Sequence, residues 1–194
     1  MVQIFYKEKP IIISDKKSDL KLCLLIDVEL IENIDIINLL DKKNVNSIGI
    51  LSKNQKSILS AFEKKFPVIT AAGGKVLNQN SEILFIYRNK KWDLPKGKSE
   101  KNENISQTAL REVIEETGIK NLSIVKPLEK TYHIFKRKGK YYLKLTYWFE
   151  MISEYKGKFK PQKKEGITRV EWIGIENLSS VLPKSYANIR LLIG

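Results

Sequence analysis

The segment Asn104 to Gly118 constrains this chain more than any other, because it is written as a helix at both ends and carries two chemically opposed faces. Asn104 can cap the first turn with Gln107 as its reciprocal partner, and Gly118 supplies a left-handed stop. At about 100° per residue, Ala109, Leu110, Val113, Ile114 and Thr117 fall on one side, which predicts the face that packs on a sheet. Glu112, Glu115 and Glu116 fall on the other, within an arc of roughly 100°. Like charges so spaced cost a few tenths of a kcal/mol per pair, and Arg111 relieves only part of that. The pattern therefore asks for a cation. Clustered oxygen ligands without His or Cys suit Mg²⁺ or Mn²⁺ better than zinc or copper. A solvated acidic face is the plainer alternative on this helix alone.

The wider spacing narrows the choice. Gly97 is followed after five residues by Glu103, and Glu103 after seven by the run Arg111-Glu112-Val113-Ile114-Glu115-Glu116-Thr117-Gly118-Ile119. All nine fixed positions of Gly-x5-Glu-x7-Arg-Glu-U-x-Glu-Glu-x-Gly-U, with U aliphatic, are filled within 23 residues, and the chain resembles the Nudix hydrolase family. The likeness extends to Ala71-Ala72-Gly73-Gly74 before the box and to Trp172 behind Glu165-Gly166-Ile167, covering about residues 68 to 180. It implies an α/β/α sandwich with a mixed sheet, here preceded by a small α/β domain. It also implies Mg²⁺ or Mn²⁺ bridging a diphosphate to the protein, with Glu112 and Glu116 as principal ligands. Glu115 would be a further or water-mediated ligand, and the Gly97 carbonyl a main-chain one. Glu103 and Arg111 would form an ion pair bracing loop against helix, and Glu112 and Glu165 are the two candidates for taking the proton of the attacking water.

The remaining chain predicts two domains, 1–66 and 67–194. In the first, Val2 to Tyr6, Ile11 to Ser14, Leu20 to Asp27 and Ser47 to Leu51 read as strands. Glu29 to Leu40 reads as a helix through Leu30, Ile31, Ile34, Ile37 and Leu40, and Gln55 to Phe66 as a second, closed by Pro67. This part holds no motif tied to chemistry. In the second, Val68 to Leu77 and Ile83 to Arg88 predict a hairpin, followed by a loop through Trp92 to Gly97 and the helix above. Strands follow near Leu122 to Pro127, Lys130 to Arg137, Lys140 to Ile152 and Arg169 to Ile173, then a helix near Ser185 to Leu192.

The formal charge of +13 suits a polyanionic partner, although 30 of the 35 basic residues are lysines scattered over the chain, as on any solvated basic surface. No Lys/Arg block interleaved with aromatics, zinc-ligand spacing or helix-turn-helix stands out as a dedicated nucleic-acid module. The single cysteine, Cys23 in the run Leu22 to Ile26, predicts a buried core thiol rather than a disulfide. No apolar run reaches the ~20 residues a membrane helix needs, and Lys7, Glu8 and Lys9 do not follow the order of a secretory signal, so a cytoplasmic address and no membrane partner are expected.

For the substrate, Trp92-Asp93-Leu94-Pro95-Lys96-Gly97 resembles the Trp-x-x-Pro-Lys-Gly entrance of dinucleoside-polyphosphate hydrolases, and Trp148-Phe149-Glu150-Met151 resembles their Trp-Phe-x-Met strand. Plain strand packing explains the second equally well. Lys96 and Lys98 are placed to meet phosphates, and Tyr132, His133 and Phe135 lie where the family puts base-stacking groups. The features that mark ADP-ribose and coenzyme A hydrolases are missing. The expectation is hydrolysis of a nucleoside diphosphate-X compound such as a dinucleoside polyphosphate. An RNA 5′ end or an inositol pyrophosphate is the enzymatic alternative, and a non-catalytic nucleotide sensor the alternative of another class. A small phosphorylated nucleotide, an RNA 5′ end and a second copy of the chain are the partners that this reading admits.

Overall fold

A computed structural model describes residues 1–31 and 35–194. In chain order the strands and helices are β1 Val2–Tyr6, β2 Lys9–Ser14, β3 Leu24–Leu25, α1 Ile36–Asp41, β4 Ile48–Leu51, α2 Gln55–Lys65, β5 Val68–Leu77, β6 Ile83–Arg88, β7 Lys91–Asp93, β8 Lys96–Lys98 and α3 Ile105–Thr117. They continue with β9 Leu122–Pro127, β10 Thr131–Arg137, β11 Lys140–Ser153, β12 Ile167–Ile173, α4 Leu178–Val181 and α5 Ala187–Ile193. Contacts divide the chain into two compact units, Met1–Ile69 with Tyr132–Lys144, and Thr70–Thr131 with Leu145–Gly194.

In the first unit the strand order is β10-β1-β2-β4-β3. β1 and β2 form an antiparallel hairpin, with Ile4 opposite Ile11, while β2 pairs in parallel with β4 and β1 in parallel with β10. Ile4, Ile11, Ile13, Ile48 and Ile50 pack with Ile36, Leu40, Ile58 and Phe62 of the two helices into one core. Asp35 caps α1 through Asn38 N, and Asn54 caps α2 through Ser57 N, each satisfying a donor that the first turn leaves open. Ile134 and Leu143 belong to this core too, so Tyr132–Lys144, expected with the later domain, clusters by contacts with the first unit.

Two further expectations change here. Leu20 to Asp27 does not form a long strand; a 3-10 turn at Lys17–Leu20 leads to the two-residue β3, which pairs only with β4. Leu22, Leu24 and Leu25 are exposed and Cys23 is only half-buried, its sulfur accepting from Ser47 Oγ at 3.3 Å, so it is not a core thiol. The helix expected over Glu29 to Leu40 is shorter, a 3-10 turn at Val28–Leu30 and then α1, with Ile34 outside the described residues.

In the second unit β12, β6, β5 and β11 lie side by side, β9 pairs with β11, and the short β7 and β8 pair with β6 and β5. Alternation along the strands separates two cores. Leu84 and Ile86 of β6 and Met151 of β11 pack with Ala109 and Val113 of α3 on one face. Phe85, Trp148 and Ile173 pack with Val181 and Ile189 of the C-terminal helices on the other. This is an α/β/α arrangement. Trp148, 1% exposed, donates from Nε1 to Thr131 Oγ1 at 2.8 Å, and Met151 is fully buried, so the Trp148-to-Met151 strand is core packing. β7 and β8 stand where a loop is expected, since three-residue strands leave no period to read.

Candidate active site

The helix α3 is closed at both ends by local hydrogen bonds. Asn104 Oδ1 accepts from Gln107 N at 2.8 Å, Gln107 Oε1 accepts from Asn104 N at 3.0 Å, and Gly118 ends the helix at φ 73°. Its buried stripe runs through Ala109, Val113, Glu116 and Thr117, at offsets of zero, four, seven and eight residues. The three glutamates therefore do not share one solvent face: Glu116 is 2% exposed and sits within the apolar stripe, while Ile114, expected inward, is 44% exposed.

What makes a buried carboxylate tolerable is its surroundings. Glu116 Oε2 accepts from Lys96 N at 2.8 Å, and Oε1 lies 3.4 Å from Arg88 Nη1. Arg88 Nε lies 3.5 Å from Asp93 Oδ2, and Lys96 Nζ donates to the same oxygen at 2.7 Å. Burial pushes the Glu116 carboxyl up to about 7, although Lys96 and Arg88 pull the other way. The Lys96 ammonium, expected at the substrate's phosphates, is 7% exposed and turned to Asp93. Arg88 and Asp93 are site residues that no sequence motif singles out. The available signal is that Arg88 is one of only five arginines among 35 basic residues, and arginine is the residue suited to buried pairing.

A second charged cluster lies nearer solvent. Arg111 grips Glu103 with two bonds, Nε to Oε1 at 2.6 Å and Nη2 to Oε2 at 2.9 Å, and donates to Lys98 O at 3.1 Å. Its Nη1 reaches Glu112 Oε1 at 2.9 Å and Glu115 Oε2 at 3.2 Å. The Arg111 hydrogen bonds hold the Glu103 carboxyl down at about 2, with Thr108 adding to the effect against burial. Burial raises the Glu112 carboxyl, against the bond from Arg111. A methyl group on Gly97 would run into the Glu112 carboxylate, so a larger residue there would force this acid to shift from its place beside the β8 backbone.

Glu165 is exposed in a short 3-10 turn whose preceding residues are tied to α3, with Gln162 N donating to Glu116 O at 3.1 Å and Lys160 N to Thr117 O at 2.8 Å. Its charge adds to the rise at Glu112. Lys98 keeps an exposed side chain beside this cluster. Tyr132 and Phe135 belong to the first unit: Tyr132 lies opposite Ile4, and Phe135 stacks on His133 at 6.3 Å and Tyr142 at 5.8 Å.

Among the described residues no three His, Cys, Asp or Glu side chains converge as a metal cage, because Arg111 draws Glu112 and Glu115 while Glu116 turns to Lys96 N. The donor set nonetheless fits a hard divalent cation. It offers oxygen alone, two of its carboxyls are pushed by burial away from bearing charge unaided, and the Gly97 backbone adjoins Glu112.

Comparison with known proteins decides the family: the NUDIX domain model matches residues 67–192. The chain belongs to the Nudix family. Members of this family are hydrolases of phosphorus-containing anhydrides and generally use divalent metals. This Nudix chain is 31% identical over 144 residues to the m7GpppN-mRNA hydrolase of Saccharomyces cerevisiae, an alignment covering 69% of the chain and 13% of the yeast protein. It thus spans only a small part of that relative's length. It is 29% identical over 140 residues to the RNA pyrophosphohydrolase of Pelagibacter ubique, covering 64% of the chain and 87% of the relative. Among solved structures, the MutT protein of Methanosarcina mazei shares the fold with a TM-score of 0.54 at 22% identity, over 66% of this chain and 91% of that one. Among the described residues no helix is long and apolar enough to cross a membrane.

Proposed function

We propose that this Nudix chain hydrolyses a phosphoanhydride bond at the 5′ end of an RNA, with Mg²⁺ or Mn²⁺. The observation that carries the reading is the buried Glu116 carboxyl, seated in the last turn of the box helix beside the backbone of Lys96 and raised to about 7. A group in that position gains most from a cation that lets it ionise. Glu112, Glu116, Glu115 and the Gly97 carbonyl would hold the metal. When bound, it would neutralise the diphosphate and acidify a water for attack on phosphorus. Glu165 would accept the proton of the attacking water, with Glu112 as the other candidate base. Arg111, fixed by Glu103, holds Glu112 and the Lys98 carbonyl in register. Lys98 offers an exposed ammonium to the substrate's phosphates, whereas Lys96 keeps its backbone N–H on Glu116 and its ammonium on Asp93.

RNA is favoured over a dinucleoside polyphosphate on three grounds. Two relatives are named for RNA substrates, and +13 suits a long polyanion better than a compact one. In addition, the Trp92-to-Gly97 stretch that suggested dinucleoside polyphosphates has Trp92 6% exposed and Lys96 ion-paired, so those residues serve packing. The test is release of phosphate and nucleotide from 5′-triphosphate RNA, capped RNA and a dinucleoside tetraphosphate, each with Mg²⁺, Mn²⁺ and a chelator. Glu116→Gln should lower metal-dependent turnover at least about a hundredfold on the scale of a lost transition-state interaction, assayed below its melting temperature where circular dichroism shows the chain folded. Near-native turnover in that variant, or turnover in chelator, removes the metal assignment; preference for the dinucleoside substrate removes RNA.

A further inference from the structure

The stretch Glu154 to Lys160 alternates charge and ring: Tyr155, Lys156, Gly157, Lys158, Phe159, Lys160. At seven residues it is too short to stand out as a basic-aromatic block, but the fold gives it a partner surface. Tyr155 and Phe159 meet Trp172 of β12 and the turn Asn78-Gln79-Asn80 around a half-open cavity of about 320 Å³. That is the small end of ligand-sized cavities, room for a base or a mononucleotide. Its rings meet at angles, Tyr155 to Phe159 at 5.9 Å and 49°, and Phe159 to Trp172 at 5.8 Å and 64°, so they do not exhaust one another's faces by stacking. All three are half-buried, while Lys156, Lys158 and Lys160 are exposed around them against one acid, Glu154. Exposed Gln79 and Asn80 add amide donors and acceptors to the lining.

Position gives this cavity a role. The segment that carries its rings continues directly into Lys160 N on Thr117 O and Gln162 N on Glu116 O, and then reaches Glu165. The loop thus joins the cavity to the last turn of the helix that bears the box carboxylates. We infer that the Tyr155–Phe159–Trp172 cavity takes a nucleobase of single-stranded RNA downstream of the reacting 5′ end, with the intervening phosphates on Lys156, Lys158 and Lys160. Rings supply sequence-tolerant stacking and lysines supply backbone attraction, the combination by which single strands are held. The role given to this base rests on the RNA 5′-end reading above; the binding itself does not.

Binding is therefore measured with hexaadenylate bearing a 5′ hydroxyl, which has no anhydride to cleave, by fluorescence anisotropy and by quenching of intrinsic tryptophan emission on the whole chain. Trp92 and Trp148 are 6% and 1% exposed, so Trp172 is the indole a stacked base can reach. Wild type should bind with quenching, and the affinity should fall with salt. Tyr155→Ala should weaken binding about tenfold, Tyr155→Phe should retain it, and both should cleave a dinucleoside tetraphosphate as wild type does. Phe159→Leu, which keeps apolar bulk against Trp172, should also weaken binding, and a wild-type melting temperature in each variant excludes unfolding as the cause. Equal affinity in wild type, Tyr155→Ala and Phe159→Leu, or binding without quenching, overturns the inference. Loss of turnover on every substrate with hexaadenylate binding intact would sink the RNA 5′-end reading and leave the cavity assignment standing.

Discussion

The two charged clusters of the site each centre on one arginine among acidic side chains and differ in burial. In the inner one, Asp93 is 3%, Glu116 2% and Lys96 7% exposed, and Arg88 bridges the two acids. In the outer one, Arg111 and Glu103 are 22% and 19% exposed and Glu115 is 46% exposed. Water does much of the solvation outside, whereas of the four inner side chains it reaches Arg88, 19% exposed, and scarcely the other three. A broken pair in the inner cluster leaves a bare charge in a poor dielectric, whereas a broken pair outside is largely rehydrated. The inner cluster should therefore decide whether the unit folds, and the outer one how the box glutamates Glu112 and Glu115 are held once it has.

The largest effect expected is that of Asp93→Ala. It strands the Lys96 ammonium, leaves Arg88 with Glu116 alone, and removes the acceptor of Leu94 N. A loss of about 3–5 kcal/mol is the usual scale for removing one partner of a buried pair, which should appear as a fall in melting temperature of roughly 10 °C. A melting temperature within about 2 °C of wild type would erase the distinction between the clusters. Arg111→Lys comes next and should separate stability from turnover. Lysine keeps the charge but cannot make the two-bond grip on Glu103 while also reaching Glu112, Glu115 and Lys98 O. Stability should drop by about 1 kcal/mol, with kcat about tenfold lower and KM little changed. A larger loss of stability than in Asp93→Ala would invert the comparison.

These clusters also show where a sequence can be read. Helix α3 is legible because its cap, its stop and its apolar period are all local and agree, and Glu103 lies only eight residues from Arg111. The inner cluster is not, because Arg88 and Glu116 are 28 positions apart and nothing local marks them as neighbours. The three box glutamates read as one face when arcs are drawn on a helical wheel, yet one belongs to the buried stripe. A hydrogen-bond donor 20 residues away in strand β8, Lys96 N, makes that burial tolerable. The same limit applies to the first unit. The run Leu22 to Ile26 is apolar enough for a core strand but lies at a sheet edge, where Leu22 is 95% exposed. The placement of Tyr132 and Phe135 follows from a parallel pairing with β1 across more than a hundred residues of chain, which no local pattern announces.

The smallest effect belongs to Glu103 and is best seen as a dependence on pH. Its carboxyl is held at about 2 in the folded chain, below its ordinary 4.5, chiefly by the hydrogen bonds from Arg111. Between those values the unfolded chain binds more protons than the folded one, so the contribution is fully present above 4.5 and is lost as pH falls through about 2. Glu103→Gln removes the titrating group while keeping its shape. The difference in urea midpoint between wild type and Glu103→Gln should be constant from pH 7 to about 5 and shrink steadily toward pH 2. It should also shrink with added salt, as expected for a pair that is only partly withdrawn from water. A difference that stays level down to pH 2.5 would mean that Glu103 acts through its shape and neutral hydrogen bonds. The outer cluster would then be held together by packing, with charge contributing little.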